Sequence, residues 1–294
     1  MALGEILTAI VTPFKADGEV DLQAFRALAR HLVDNGSDGL VVTGTTGESP
    51  TLSDDERMAL YEAAVDEIGD RATVVAGTGT YSTSHSVHLT KRAHELGVDA
   101  FLVVTPYYNK PPPRGIVAHF RAIAGVTDRP LVVYNIPSRV VINLETETIA
   151  ALAEIPSVGA VKQAYPDLAQ ARAIVELGLD LYAGDDDLIL PFLELGGVGG
   201  VCVHTHVVGP QVRELVRRFR TGDVEGARSL DAELRPAIEL LRVAPNPMAI
   251  KCALALLGHD VGGLRLPLVE VTDEERDRVR GCLERLGLLQ HAAV

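Results

Sequence analysis

Ser157-Val-Gly-Ala-Val-Lys-Gln163 is a short apolar run closed by a lysine. A continuous apolar stretch, rather than an alternating one, is the pattern of a strand buried on both faces, as in a parallel sheet. Working outward, seven further runs share this character, at 6–12, 39–43, 72–76, 100–105, 131–135, 180–183 and 199–204. Stretches of helical periodicity lie between them, among others at 21–35, 54–68, 83–96, 116–126 and 144–153. Ser53-Asp-Asp-Glu56 is a capping-box pattern, and Thr83 and Asp167 start further helices. Gly36 and Gly97 stand where helices end.

Strand followed by helix, eight times over, predicts an α/β protein with a parallel sheet. In a chain of 294 residues, eight such units favour a closed (β/α)8 TIM barrel over an open doubly wound sheet. No GxGxxG follows the first strand, which weakens the dinucleotide-binding alternative. After residue 222 the pattern turns purely helical, at 224–241, 247–257 and 272–288. The expected division is a catalytic barrel at 1–222 and a C-terminal helical region of about three helices at 223–294.

Hydrophobic residues make up 47% of the chain and aromatic residues only 4%, so the core is built from aliphatic side chains. A net charge of −13 argues against nucleic acid or an anionic membrane as partner. Cys202, Cys252 and Cys282 are widely spaced and form no zinc or disulfide pattern, which fits a reducing cytoplasm. Neither a signal peptide nor an apolar run long enough to span a membrane is expected.

Only five of the 27 basic residues are lysines, so Lys162 inside an apolar strand is not casual. Burial disfavours a charged amine, and a neutral amine in an apolar pocket traps carbonyl compounds. The other reading is a strand-end lysine that reaches solvent or pairs with a carboxylate. In a barrel the active site lies at the C-terminal ends of the strands. Those ends carry Gly44-Thr-Thr-Gly-Glu48, Thr105-Pro-Tyr-Tyr-Asn-Lys110, Tyr134-Asn-Ile-Pro-Ser-Arg139, Gly184-Asp-Asp-Asp187 and His204-Thr-His206. Thr45 and Thr46 sit in a turn that either binds a carboxylate through its amides or caps the next helix. Tyr134 is a proton shuttle or a core tyrosine, and Arg139 a carboxylate clamp or a surface arginine. Tyr107 and Tyr108 lie on a stiff, proline-rich loop that either packs as a lid or projects into a neighbouring subunit. Asp185 to Asp187 read as an acidic run at a helix start, and His204 and His206 as weak metal candidates.

Taken together, these motifs resemble the dihydrodipicolinate synthase (4-hydroxy-tetrahydrodipicolinate synthase) family, pyruvate-dependent class I aldolase barrels related to N-acetylneuraminate lyase. The resemblance runs from about residue 6 to 257 and includes TPF at 12–14, GTTGE at 44–48, AGTG at 76–79, TPYYNKP at 105–111, YNIPSR at 134–139, VGAVKQA at 158–164, GDD at 184–186 and NPMAIKCAL at 246–254. It implies that Lys162 forms a Schiff base with pyruvate and that Tyr134 is the general acid/base. Thr45 would relay protons between Tyr134 and Tyr108, the latter donated across a dimer interface. Thr46 would hold the pyruvate carboxylate, and Arg139 the carboxylate of L-aspartate 4-semialdehyde, with Gly184 and Val201 also at the substrate. It further implies a homotetramer of two tight dimers, and chemistry that needs no metal or other cofactor.

Three departures stand out. Gln163 follows the lysine where an acidic residue is usual, and Val140-Val141 replaces Thr-Gly. Val201-Cys-Val-His-Thr-His206 replaces Ile-Ser-Val-x-x-Asn. The last two are expected to line the aldehyde region, which keeps open another pyruvate-dependent aldolase or lyase, acting on a sugar acid or other aldehyde. A catalytically silent barrel is the more distant alternative. Lysine-sensitive relatives use a polar pocket whose matching positions here hold Pro50, Asp54, Arg57, Tyr81 and His85, several of them unlike that pattern.

Overall fold

A computed structural model describes residues 3–289. Eight parallel strands follow one another around a closed barrel. They are β1 (Ile6–Ala9), β2 (Gly39–Val42), β3 (Thr73–Gly77), β4 (Ala100–Val104), β5 (Leu131–Asn135), β6 (Val158–Gln163), β7 (Asp180–Ala183) and β8 (Gly199–Cys202). Each coincides with one of the eight apolar runs. The barrel closes where Leu7 of β1 lies opposite Val201 of β8.

Two apolar layers explain why the strands are apolar throughout. Inside the barrel, Leu7, Val41, Val75, Leu102, Val132 and Tyr182 pack against one another. Alternate residues such as Leu40, Val74, Phe101, Val133 and Leu181 face the surrounding helices. Strand geometry sends successive side chains to opposite faces, so in this barrel neither set meets water.

The helices follow local chemistry, beginning with α1 (Leu22–Asp34), capped by Asp21. In α2 (Asp54–Ile68) the Ser53 amide donates to Glu56 Oε2 at 2.8 Å and the Glu56 amide to Ser53 Oγ at 3.2 Å, completing the expected capping box. Ser82, one residue before the expected start, caps α3 (Thr83–Glu95). Helix α4 (Pro113–Ala124) begins earlier than its periodicity predicts, because Pro113 occupies the first turn, where a missing N–H costs nothing. The short α5 (Pro137–Val140) and α6 (Thr146–Ala153) follow β5, and α7 (Leu168–Glu176) follows β6 with Asp167 as its cap. Between β7 and β8 lies α8 (Ile189–Glu194), and α9 (Thr205–Arg220) follows β8.

The C-terminal region has four helices among the described residues, not about three. Residues 224–241 form two, α10 (Val224–Glu233) and α11 (Arg235–Leu241). Pro236 has no N–H to donate to the preceding turn, and the helix breaks there, at Leu234. Next come α12 (Met248–Leu256) and α13 (Asp273–Arg285). Ala227, Leu240, Leu254 and Leu283 of these helices belong to the same apolar cluster as the outer face of the barrel. Among the described residues no helix is long and apolar enough to cross a membrane.

A buried ion pair fastens this region to the strand ends. Lys251 Nζ lies 2.7 Å from Glu48 Oε1, with both side chains almost fully enclosed. Lys251 also donates to the Gly263 carbonyl at 2.7 Å and sits over the Phe14 ring. The second carboxylate oxygen of Glu48 accepts the Arg265 amide at 3.1 Å. Desolvation lowers the Lys251 pKa against the pull of Glu48.

Candidate active site

The C-terminal mouth of the barrel holds a cavity of about 390 Å³. Lys162, from the penultimate position of β6, is 5% exposed and lines it. Its register partner on β5 is Tyr134, 4% exposed. Adjacent parallel strands direct partnered residues to the same face, so both point inward. Lys162 Nζ stands 4.2 Å from the centroid of the Tyr134 ring. An enclosed amine against a phenol excludes the solvent-reaching reading of Lys162.

Thr45, Thr46, Arg139 and Gly184 also line the cavity. Thr45 and Tyr134 share in addition the wall of a small adjoining void, together with Gly44 and Leu102. Thr46 is buried, and its Oγ1 accepts a hydrogen bond from Asn246 Nδ2 at 2.9 Å. Since Thr46 Oγ1 accepts from Asn246, its own proton is free to point elsewhere. Arg139 sits in the four-residue α5 and is exposed at the rim.

Five non-glycine residues among those described have left-handed backbone: Thr43, Glu48, Tyr108, Lys110 and Val141. All lie in loops that leave the C-terminal ends of β2, β4 and β5. Such conformations cost about 1 kcal/mol or more each and gather at functional sites. Thr43 is held by Tyr61, whose hydroxyl lies 2.6 Å from Thr43 Oγ1 and donates to the Gly77 carbonyl at 2.9 Å. Burial pushes the Tyr61 phenol up to about 12, so it stays a donor.

Two expected site residues lie elsewhere. Val201 is buried in the inner apolar cluster below the cavity and does not line it. Tyr108 is 91% exposed, outside the cavity of its own chain, although its neighbour Tyr107 packs edge-on against Tyr81.

The departures are mostly not at the cavity. Gln163 faces outward, fully buried: its Oε1 accepts from Asn135 at 3.0 Å and its Nε2 donates to Gln170 Oε1 at 2.7 Å. Gln170 donates on to the Leu144 carbonyl at 2.6 Å, completing a neutral amide network behind the strands. Val140 packs in the inner apolar cluster, and Val141 points into solvent at 66% exposure. Of these two segments only Val203 lines the cavity, which corrects the expectation that both do.

The acidic run and the two histidines have structural partners that local spacing does not reveal. Asp186 is not merely a helix-start charge. Its Oδ1 accepts the Val203 and His204 amides at 2.7 and 2.8 Å, and His204 Nδ1 lies 2.5 Å away. Burial works to raise the Asp186 pKa, but the His204 ring and those two amides outweigh it and hold it below the ordinary carboxylate value. Asp185 presents its outer side to solvent, yet the protein packed around its carboxyl, with Asp186 beside it, raises its pKa, while Lys162 and Arg139 pull the other way. Asp187 pairs with Arg242 at 2.6 Å on the cavity rim. His206 accepts the Val11 amide at Nε2, 3.3 Å, so its Nδ1 carries the proton donated to the Val203 carbonyl at 2.8 Å. Burial lowers its pKa to about 4.

Asn246 and Arg242 are polar cavity residues to which the sequence reading assigns no role. Both come from the helical region, and Asn246 meets Thr46 from 200 residues away.

The sequence model of the Dihydrodipicolinate synthetase family matches residues 2–286. A 4-hydroxy-tetrahydrodipicolinate synthase of Moorella thermoacetica is 49% identical over 292 residues, covering 98% of this chain and 100% of the relative. That of Mycolicibacterium paratuberculosis is 46% identical, covering 98% and 96%. Among solved structures, DHDPS from Cyanidioschyzon merolae with lysine bound superposes with a TM-score of 0.95 at 42% identity, covering 98% of this chain and 99% of that one. The chloride-inhibited dihydrodipicolinate synthase from Acinetobacter baumannii complexed with pyruvate gives 0.95 at 33% identity, covering 98% and 100%. With matching strand-end motifs, a closed barrel and near-complete coverage in agreement, the chain belongs to the dihydrodipicolinate synthetase family.

Proposed function

We propose that this protein is a class I aldolase-type lyase, a 4-hydroxy-tetrahydrodipicolinate synthase, which condenses pyruvate with L-aspartate 4-semialdehyde in lysine and diaminopimelate biosynthesis. The observation that carries this reading is the enclosed Lys162 amine against the Tyr134 ring at the cavity floor.

The neutral amine of Lys162 adds to the keto carbon of pyruvate, giving a carbinolamine. Tyr134 delivers a proton to the departing hydroxyl, water leaves, and a protonated imine remains. Loss of a methyl proton turns the imine into an enamine, whose carbon attacks the aldehyde. The amine of the second substrate then closes the ring at the imine carbon and releases Lys162. The protonated imine itself accepts the electron pair, which is the role a metal or other cofactor fills elsewhere.

Thr46 and the amides of its turn receive the pyruvate carboxylate. Arg139, planar and permanently charged at the rim, receives that of the second substrate, beside Gly184. Thr45 passes protons between Tyr134 and Tyr108. The exposure of Tyr108 supports its donation to the cavity of a neighbouring chain, within a homotetramer made of two dimers. Residues 1–222 act as the catalytic barrel, and residues 223–294 as the region that brings Asn246 and Arg242 to its mouth. The three buried free cysteines fit a cytoplasmic enzyme. Because two of the three departures avoid the cavity, nothing in its lining favours a different aldehyde.

Incubation with pyruvate and borohydride, followed by peptide mapping, tests the reading. The expected result is a reduced pyruvate adduct on the peptide that contains Lys162. An unmodified chain, or an adduct on Lys251 instead, overturns it.

A further inference from the structure

The end of β8 and the residues after it bring sulfur and imidazole together, with Cys202 standing where the family pattern has serine. Cys202 is the last residue of β8, and His204 stands two residues on. Asp186 reaches them from the turn after β7. One ligand atom from each of the three lies within 4.8 Å of the other two. Cys202 and His204 are 1% and 3% exposed, and Asp186 faces the cavity that holds Lys162.

This set differs from a carboxylate cluster of the ordinary surface kind. It presents one sulfur, one nitrogen and one oxygen from rigid strand ends, a donor mix suited to zinc-like cations. A tetrahedral zinc ion holds such donors about 3.3 to 3.6 Å apart, so the Asp186–His204 pair must open by about 1 Å from its 2.5 Å while Cys202, within 4.8 Å of both, draws in. His204 Nδ1 is buried, and its 2.5 Å approach to Asp186 Oδ1 is not aligned as a directed hydrogen bond. A cation beside the ring would give His204 Nδ1 the directed partner it lacks, whereas Asp186 Oδ1 already accepts two backbone amides.

We propose that Asp186, Cys202 and His204 form a site for a thiophilic divalent cation of the zinc class, whose occupancy blocks pyruvate adduct formation at Lys162. Binding replaces the Cys202 thiol proton, which leaves to solvent. His204 offers its Nδ1 lone pair from the tautomer protonated at Nε2, and no atom changes oxidation state. The fourth ligand is water on the cavity side, where Asp186 is accessible. A dication in that wall repels the protonated imine that forms on Lys162 and draws Asp186 away from the Val203 and His204 amides. The site is inhibitory and takes no part in turnover. Its effect on adduct formation rests on the Schiff-base reading above, whereas cation binding does not.

Cobalt(II), added to the metal-stripped full-length protein, is the probe. The expected result is one tightly held Co²⁺ per chain with a near-ultraviolet thiolate-to-cobalt charge-transfer band. That band is lost in Cys202→Ser and in His204→Gln, and kept in Cys252→Ser. Binding at the exposed His85–Asp54 pair gives no such band, since no thiol is present there. Borohydride trapping with pyruvate is then compared with and without Co²⁺ within each variant. Suppression in the native chain and its loss in Cys202→Ser support the proposal. A native chain with no thiolate band, a band that survives Cys202→Ser, or a band without suppression of trapping overturns it. A chain that shows the band but traps no pyruvate even when metal-free instead condemns the Schiff-base reading.

Discussion

Tyr134 and Lys162 are register partners across β5 and β6, and the amine of one stands 4.2 Å above the ring of the other. The aromatic ring and the phenol oxygen therefore have separable duties. The ring face packs against the amine, and in the proposed mechanism the hydroxyl moves protons. Tyr134→Phe keeps the first and removes the second. Its expected effect is a loss of about 100-fold or more in kcat, the scale of general acid–base help, with pyruvate trapping slowed but still on Lys162. Lys162→Ala should abolish trapping altogether. Stopped-flow trapping and steady-state rates on both variants check this, and a Phe variant with native kcat would remove Tyr134 from the chemistry.

In the proposed mechanism Asn246 acts on the reaction through Thr46. By donating to Thr46 Oγ1 it leaves the threonine proton free for the pyruvate carboxylate that Thr46 is proposed to hold. A net hydrogen bond is worth about 1 kcal/mol, so Asn246→Ala should raise the pyruvate KM by about 5-fold. The KM for the second substrate should stay near native, because Asn246 does not position Arg139. Equal rises in both values would point to a general loosening of the cavity instead.

How far the sequence alone reaches is shown by these two pairs. The eight strands were legible because each is buried on both faces, which leaves an unbroken apolar run. The apolar runs extend past the strands: Thr105 still donates its amide to the Tyr134 carbonyl at 3.0 Å, whereas Thr12 and Thr43 leave the ladder. Thr43 does so with a backbone φ of 54°, which no propensity announces. The inward set of Lys162 and the outward set of Gln163 follow from strand alternation. Asn246 was not assignable, because its partner lies 200 residues away and no local period links them. The role of Asp186 was hidden for a different reason. Three adjacent aspartates look alike in sequence, and only the placement of β8 shows which one accepts the Val203 and His204 amides.

The Glu48–Lys251 pair makes the turn after β2 depend on α12. Removing one partner leaves a buried charge without compensation, which typically costs about 3–5 kcal/mol. Lys251→Met should therefore destabilise the chain strongly, whereas Lys251→Met with Glu48→Gln should recover a large part of the loss. Urea unfolding of the native, single and double variants measures it. Strict additivity of the two substitutions would show that the charges do not interact.

Acid sensitivity follows from two buried imidazoles. Burial lowers the pKa of both His206 and His119 to about 4, against an ordinary value of 6.5. His206 is held neutral between the Val11 amide and the Val203 carbonyl, at the seam where β1 meets β8. His119 has Thr83 Oγ1 at 2.9 Å from Nδ1, while its Nε2 is buried without a partner. Between pH 6.5 and 4 the unfolded chain binds protons at these positions and the folded chain does not. Stability from each is thus complete above pH 6.5 and falls away as the pH drops towards 4, by on the order of 3 kcal/mol per histidine. Carboxylates titrate in the lower part of that window as well, so the informative quantity is a difference between proteins. His206→Gln keeps a side chain that both accepts and donates but has no proton to gain. The variant should start less stable at pH 7.5 and lose less on acidification, so that the two urea midpoints converge by pH 5. Parallel midpoints across that range would show that the His206 ring takes up its proton equally in the folded and unfolded chains, and that burial at the β1–β8 seam does not hold it neutral.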